Sequence, residues 1–249
     1  MSDFKGGPFA IPAGRADMAV DTGLRAFMLG VYNKVALGLV VSAALAYVTS
    51  SVPAVRDLLY VVTPEGRLAG ITLLGKVVQW SPLIAVLLAM FAMRNPSPKS
   101  ASLYYWTIVS LFGAGLGFIG LIYTGASIAS TFLITAASFG ALSLSGYVTK
   151  KNLTGFGSFL MVGLFGLILA SLVSMIFPMP GLVFAINVLG VFIFAGLIAY
   201  DTQRLKMSYY ALQGDSDSLA VQTSFGALSL YLDFINLFLF LMRLFGSRR

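Results

Sequence analysis

The segment FGALSLYLDFINLFLFLMRLF, residues 225–245, is apolar and aromatic over a length that spans a bilayer, yet it contains a carboxylate, Asp233, with an amide, Asn236, one helical turn later. An ionised acid at the centre of a membrane helix costs about 2.5–3.5 kcal/mol on insertion scales, so it faces a protein interior or water and marks a functional site. A chain that keeps such a group must build a partner for it elsewhere.

The rest of the composition agrees with a membrane setting. With 58% hydrophobic and 10% charged residues and a mean hydropathy of +0.91, the chain has too few charges for a soluble domain of its size. It has no cysteine and no histidine, which excludes disulfides, thiolate or imidazole metal sites, and Cys or His nucleophile chemistry. Proton sensing must therefore use carboxylates. The net charge of +7 comes from residues in the short connections between apolar runs, which topology and anionic headgroups explain without a nucleic-acid partner.

Read in order, residues 1–25 form a polar, Gly- and Pro-containing segment expected to be a mobile tail, and residues 26–249 a single transmembrane domain. Seven spans are predicted: Phe27–Val48, Val77–Met93, Leu103–Tyr123, Ser127–Tyr147, Phe156–Phe177, Leu182–Tyr200 and the seventh at 225–245. The first is too long for the apolar core of a secretory signal peptide. Lys34, near its start, reads as a lysine snorkelling to the headgroups. The connection 51–76 reads as interfacial, with a short amphipathic helix. Gly113 and Gly117 make a GxxxG pair suited to close helix packing, not a phosphate loop. The run Asp215-Ser216-Asp217 lacks the glycine and distal glutamate of an EF-hand and reads as a solvated loop.

Seven spans put the ends of the chain on opposite sides. Lys5, Arg15, Arg25, Arg94, Lys99, Lys150, Lys151, Arg204 and Lys206 then share the N-terminal side, against Arg56, Arg67, Lys76, Arg243, Arg248 and Arg249, which favours a cytoplasmic N-terminus. A re-entrant last span would move the basic C-terminus to the same side.

A second membrane-edge carboxylate, Asp201, follows span six in AYDTQRLK. The midpoint between Asp201 and Asp233 is residue 217, inside the polar connection, so antiparallel helices with equal arms bring the two acids to one depth. Measured from the apolar boundaries the match is less even, because Asp233 lies roughly 12 Å inside its span. Two carboxyl groups at close range hold one proton between them, since both cannot ionise cheaply. Arg94, ending span two, falls on the same side. The plainer alternative is that Asp201 caps span six in headgroup water while Asp233 bonds a neighbouring helix.

The strings AYDTQRLK and LSLYLDFINLFLFLMRLFG, with seven spans and a short basic C-terminus, resemble the Bax inhibitor-1 (transmembrane Bax inhibitor motif) family, in its bacterial type. The resemblance implies an all-α membrane fold of seven helices with the last one central and wrapped by the other six, in a bacterial inner membrane. It implies a pH-sensitive calcium leak, with Asp201 and Asp233 as sensor, ion pathway and weak Ca²⁺ ligands, and Arg94 as a latch on them. Ca²⁺, protons and membrane lipids are the partners so implied. The resemblance also admits a non-channel role, an interaction protein acting on a membrane-bound AAA protease. Tyr200-Asp201 on one helix and Asp233 on the next are similar to the dyad of intramembrane aspartyl proteases, but Leu230-Tyr231-Leu232 precedes Asp233 where those enzymes have Gly-x-Gly, and their Pro-Ala-Leu motif is absent. No enzyme activity and no cofactor are expected.

Overall fold

The computed structural model describes residues 21–93 and 95–249. Residues 1–20, the greater part of the expected tail, and the expected latch Arg94 lie outside the described residues. The chain runs α1 (Thr22–Ser51), α2 (Pro53–Leu59), β1 (Tyr60–Val62), β2 (Leu68–Ile71), α3 (Leu73–Ala92), α4 (Pro98–Gly115), α5 (Gly117–Ile122), α6 (Gly125–Val148), α7 (Thr154–Ile176), α8 (Pro180–Ala211) and α9 (Ser216–Phe245). Among the described residues six helical stretches are long and apolar enough to cross a membrane: α1, α4 with α5, α6, α7, α8 and α9. The described apolar part of α3, Leu73–Leu88, is shorter.

The helix starts follow from local chemistry. Asp21, Ser97, Thr124 and Asp215 each accept a hydrogen bond from a backbone N–H in the first turn of α1, α4, α6 and α9, and Pro53, Pro98 and Pro180 occupy first-turn positions that need no donor. The Ser218 hydroxyl and first-turn N–H groups around Asp215 hold its carboxyl below the usual carboxylate range. The DSD run is thus the cap of α9, reached through Gly214, whose φ of +102° is open to glycine.

Several boundaries differ from expectation, among them the start of α9 at Ser216, well before the expected 225. Helix α1 begins at Thr22, so residues 22–25 belong to the first helix and not to the tail. The connection 51–76 contains the expected short helix, α2, but also an antiparallel ribbon that an all-α reading omits, pairing Tyr60 with Ile71 and Val61 with Gly70 around a turn at Gly66. Tyr60 and Leu59 are buried there with Leu121, which gives the ribbon an apolar face to sit on. Helix α8 does not stop at Tyr200 but continues to Ala211. The sequence TQRLKMSYYA keeps strong helix formers, and Thr202, Leu205, Lys206 and Tyr209 bury one face of the extension.

Helix α9 is the most enclosed element: 72% of its most apolar stretch is buried, against 11–39% for the other spanning helices. It packs on α8, α1, α4 and α6, whereas α7 packs on α8 and α3 on α4. Its buried face carries Leu230, Tyr231, Phe234, Leu237, Phe238 and Leu241. At 30 residues it extends about 45 Å, longer than a hydrocarbon core of about 30 Å. The chain after it pairs with the α5–α6 turn, where Thr124 N–H donates to the Ser247 carbonyl (3.0 Å) and Arg249 N–H to the Ile122 carbonyl (3.0 Å). A continuous α9 therefore ends at the opposite end of the bundle from the α8–α9 turn, and the re-entrant alternative is set aside.

Helix contacts depend on small residues. A Cβ added at Gly113 would lie 2.6 Å from the Ser42 Cα of α1, and one at Gly117 would meet Thr49 of the same helix. A Cβ at Gly146 on α6 would press on the Ala199 backbone of α8, 2.7 Å from its carbonyl carbon, two residues before Asp201. Main chain cannot rotate aside. Gly146→Val is expected to lower stability by about 1–3 kcal/mol, whereas Gly140→Ala on the same helix, with nothing within 4 Å of the added Cβ, should be neutral or slightly stabilising. Thermal unfolding of the two purified variants in detergent checks the difference.

Candidate functional site

Helices α8 and α9 run antiparallel, and their facing pairs share one register: Arg204 with Ser229, Asp201 with Asp233, and Phe194 with Phe240. These pairs centre on residues 216–217, so the equal-arm argument places the acids together even though the helical turn itself comes earlier, at 212–215. Asp201 lies about three turns before the end of α8, in the middle of a helix and not at a headgroup cap.

The two carboxyl groups face each other at close range and are enclosed, Asp201 at 5% and Asp233 at 6% exposure. A carboxyl–carboxyl hydrogen bond needs one proton between four oxygens, because an ionised carboxylate only accepts. The arrangement is one in which a single proton can be shared. Asp233 Oδ2 has no hydrogen-bond partner among the described residues. Asp201 Oδ1 lies 3.4 Å from Arg204 Nη2, one turn further along α8. Arg204 is the cation within ion-pair distance of these acids among the described residues. Its guanidinium also donates to Ser229 Oγ (3.3 Å) and sits 5.8 Å from the centroid of the Tyr200 ring.

The polar side chains that follow Asp201 on α8 bond to neighbouring elements. Tyr32 of α1, Ser143 of α6 and Thr202 of α8 form a chain, with Tyr32 Oη 2.6 Å from Ser143 Oγ and Ser143 Oγ 2.9 Å from Thr202 Oγ1. The ammonium of Lys206 donates to the Tyr147 carbonyl (3.0 Å) over the Tyr147 ring. Gln203 bridges the α6–α7 loop by accepting from Leu153 N–H and donating to the Lys151 carbonyl, both at 2.8 Å. Each polar side chain on this segment of α8 is tied to a different neighbour, which fixes the rotation of the helix and aims Asp201 at α9.

A second polar seam lies on the other side of α9. Tyr231 Oη is 2.7 Å from Ser42 Oγ, which donates to the Val109 carbonyl (3.0 Å). Lys34 does not snorkel outward. Its ammonium turns into the bundle and donates to Ser224 Oγ (2.7 Å) and Ser102 Oγ (3.2 Å), with the Tyr105 ring beneath it. Asn236 turns back on its own helix and donates to the Leu232 carbonyl, so it is not a partner for the acids. Gly113 and Gly117 serve the contact with α1 and are not part of the carboxyl site.

Of the residues singled out from sequence, Asp201 and Asp233 come together, and Arg94 falls outside the described residues. Arg204, Thr202, Ser143 and Tyr32 were missed. For Arg204 the signal was present: a cation three residues after an acid in a helix lies on the same face, but the helix had been ended at Tyr200.

The buried acid pair on the two C-terminal helices is the setting in which comparison with known sequences becomes informative. Residues 24–249 match the sequence model of the family described as inhibitor of apoptosis-promoting Bax1. The chain belongs to that family. An uncharacterised protein of Caulobacter vibrioides is similar over the whole of both chains at 67% identity. The inner membrane protein YbhL of Escherichia coli is 41% identical over 94% of this chain and 98% of its own. The protein RP147 of Rickettsia prowazekii is 41% identical over 92% of each. The apolar helices and this family membership make the chain a multi-pass membrane protein.

The α9 seam gives a direct test of how the family member is held together. Tyr231→Phe removes one buried hydrogen bond while Ser42 keeps its bond to Val109, so stability should fall by about 0.5–1.5 kcal/mol, read by unfolding in detergent, with no loss of expression.

Proposed function

We propose that this family member is a pH-sensitive calcium (cation) leak protein of the inner membrane, gated by the carboxyl pair Asp201–Asp233. Seven helices surround the pathway in this reading, with α3 as the seventh and α9 as the central element around which the other six are arranged. The observation that carries it is the pair itself: two acids on adjacent helices, both enclosed and facing each other at close range, where a bond between them requires one proton.

Removal of that proton leaves two anions side by side between α8 and α9. Repulsion then favours separation of the helices at this level, admitting water and a cation to the oxygens. Arg204 on α8 opposes the repulsion and so sets how readily this happens. Two carboxylates supply too few oxygens for a tight Ca²⁺ site, and among the described residues no third acid joins them, so Ca²⁺ passes and does not stay. The four-residue link between α8 and α9 and the continuous α9 make the pair a two-state element.

Asp233→Asn keeps a donor to Asp201 at every pH. In liposomes loaded with a Ca²⁺ indicator, the native chain is expected to show flux that changes between about pH 5 and 8. The Asn variant should hold the flux of the protonated native protein throughout. Flux equal to that of empty liposomes at every pH overturns the leak reading and favours the interaction role.

A further inference from the structure

On the outer side of Arg204, away from the acid pair, lies a cavity of about 180 Å³ between the start of α7 and the last turns of α8. Thr154, Tyr200, Gln203, Arg204, Ser208 and Ala211 line it. Its one charged wall residue is Arg204, and no acid borders it. The Arg204 side chain is 40% exposed there, and the two contacts it makes inward, to Asp201 at 3.4 Å and Ser229 at 3.3 Å, are both long. A guanidinium has five N–H donors in a planar fork, so most of them remain available to the cavity.

The rest of the lining mixes hydroxyls with the apolar Met207 and Ala211. Gln203 is committed to Leu153 and Lys151, which leaves the hydroxyls of Thr154, Tyr200 and Ser208 as the neutral donors. Thr154 is the first residue of the 23-residue helix α7, whose N-terminal dipole end adds to the field of Arg204. Outside the cavity, α7 presents Phe159 and Val162 outward, and it is the least buried spanning helix.

We propose that this cavity binds a phosphate group, held by the Arg204 fork and the Thr154 and Ser208 hydroxyls. A phospholipid reaching it lays its chains along the apolar outer face of α7. A bound phosphate draws the guanidinium outward and weakens its long contact with Asp201, so headgroup occupancy and the state of the acid pair are linked through one side chain. That link rests on the gating role proposed for the acids; the binding does not.

Binding is measured without any ion flux, by native mass spectrometry of the purified full chain titrated with phosphatidylglycerol or phosphatidylcholine, and with inorganic phosphate in a thermal-shift assay. Phosphatidylglycerol is expected to bind at least about tenfold more tightly than phosphatidylcholine, a preference removed by Arg204→Gln. Ala211→Phe, which fills the cavity and leaves Arg204 in place, should remove it as well. Arg56→Gln, on α2 and paired with Asp57 outside this cavity, should keep it. Stabilisation by inorganic phosphate that depends on Arg204, without a lipid preference, also supports the site and assigns it to a soluble phosphate. No preference and no phosphate stabilisation, or a preference that survives both cavity variants, overturns the proposal.

Discussion

The burial of Asp201 against Asp233 is the constraint on which the C-terminal half of this bundle depends. In the gating proposed above, one proton between the two acids keeps their helices together and its loss pushes them apart. A cost of several kcal/mol for ionising a carboxyl in an apolar interior makes this a strong lever from a small chemical change. The rest of the local structure serves to keep the two groups facing each other. Gly146 lets α6 reach the main chain of α8 beside Asp201, and Gln203, Lys206 and Thr202 fix the rotation of α8 about its axis.

Arg204 has two faces, and they join the acid pair to the surface. Its inner contact is long and its outer side lines a cavity, so the same guanidinium belongs to the buried pair and to the membrane edge. In the proposed reading, this single cation links the lipid environment and the proton without any moving domain. On the opposite side of α9, Lys34, Tyr105, Ser42 and Tyr231 form a seam of a different character. It has a cation and hydroxyls but no acid among the described residues, and it fixes α9 against α1 and α4. Helix α9 is therefore anchored on one face and titratable on the other.

Much of the fold was legible before any coordinates. Apolar runs located the spanning helices, though not the polar ends of α8 and α9, because a spanning segment must satisfy its backbone internally and so declares itself by length and composition. The meeting of Asp201 and Asp233 was legible from equal arms about residue 217. What escaped was what depends on neighbours. The extension of α8 past Tyr200 is polar in sequence and helical only because Leu205, Lys206 and Tyr209 find buried places against other helices. The ribbon 60–71 forms because Leu121 gives it an apolar surface, which no local pattern announces.

The sequence by itself determined that this chain lives in a membrane and that its last two helices carry the acids Asp201 and Asp233, since hydropathy and residue type are properties of the chain alone. Tertiary structure decided which cation faces them, that Lys34 turns inward and not to the headgroups, and that Arg204 opens onto a cavity. The reason is geometric. The rotation of a helix about its axis is set by the small residues and hydrogen bonds of its neighbours, and a turn of about 100° per residue separates a buried partner from an exposed one.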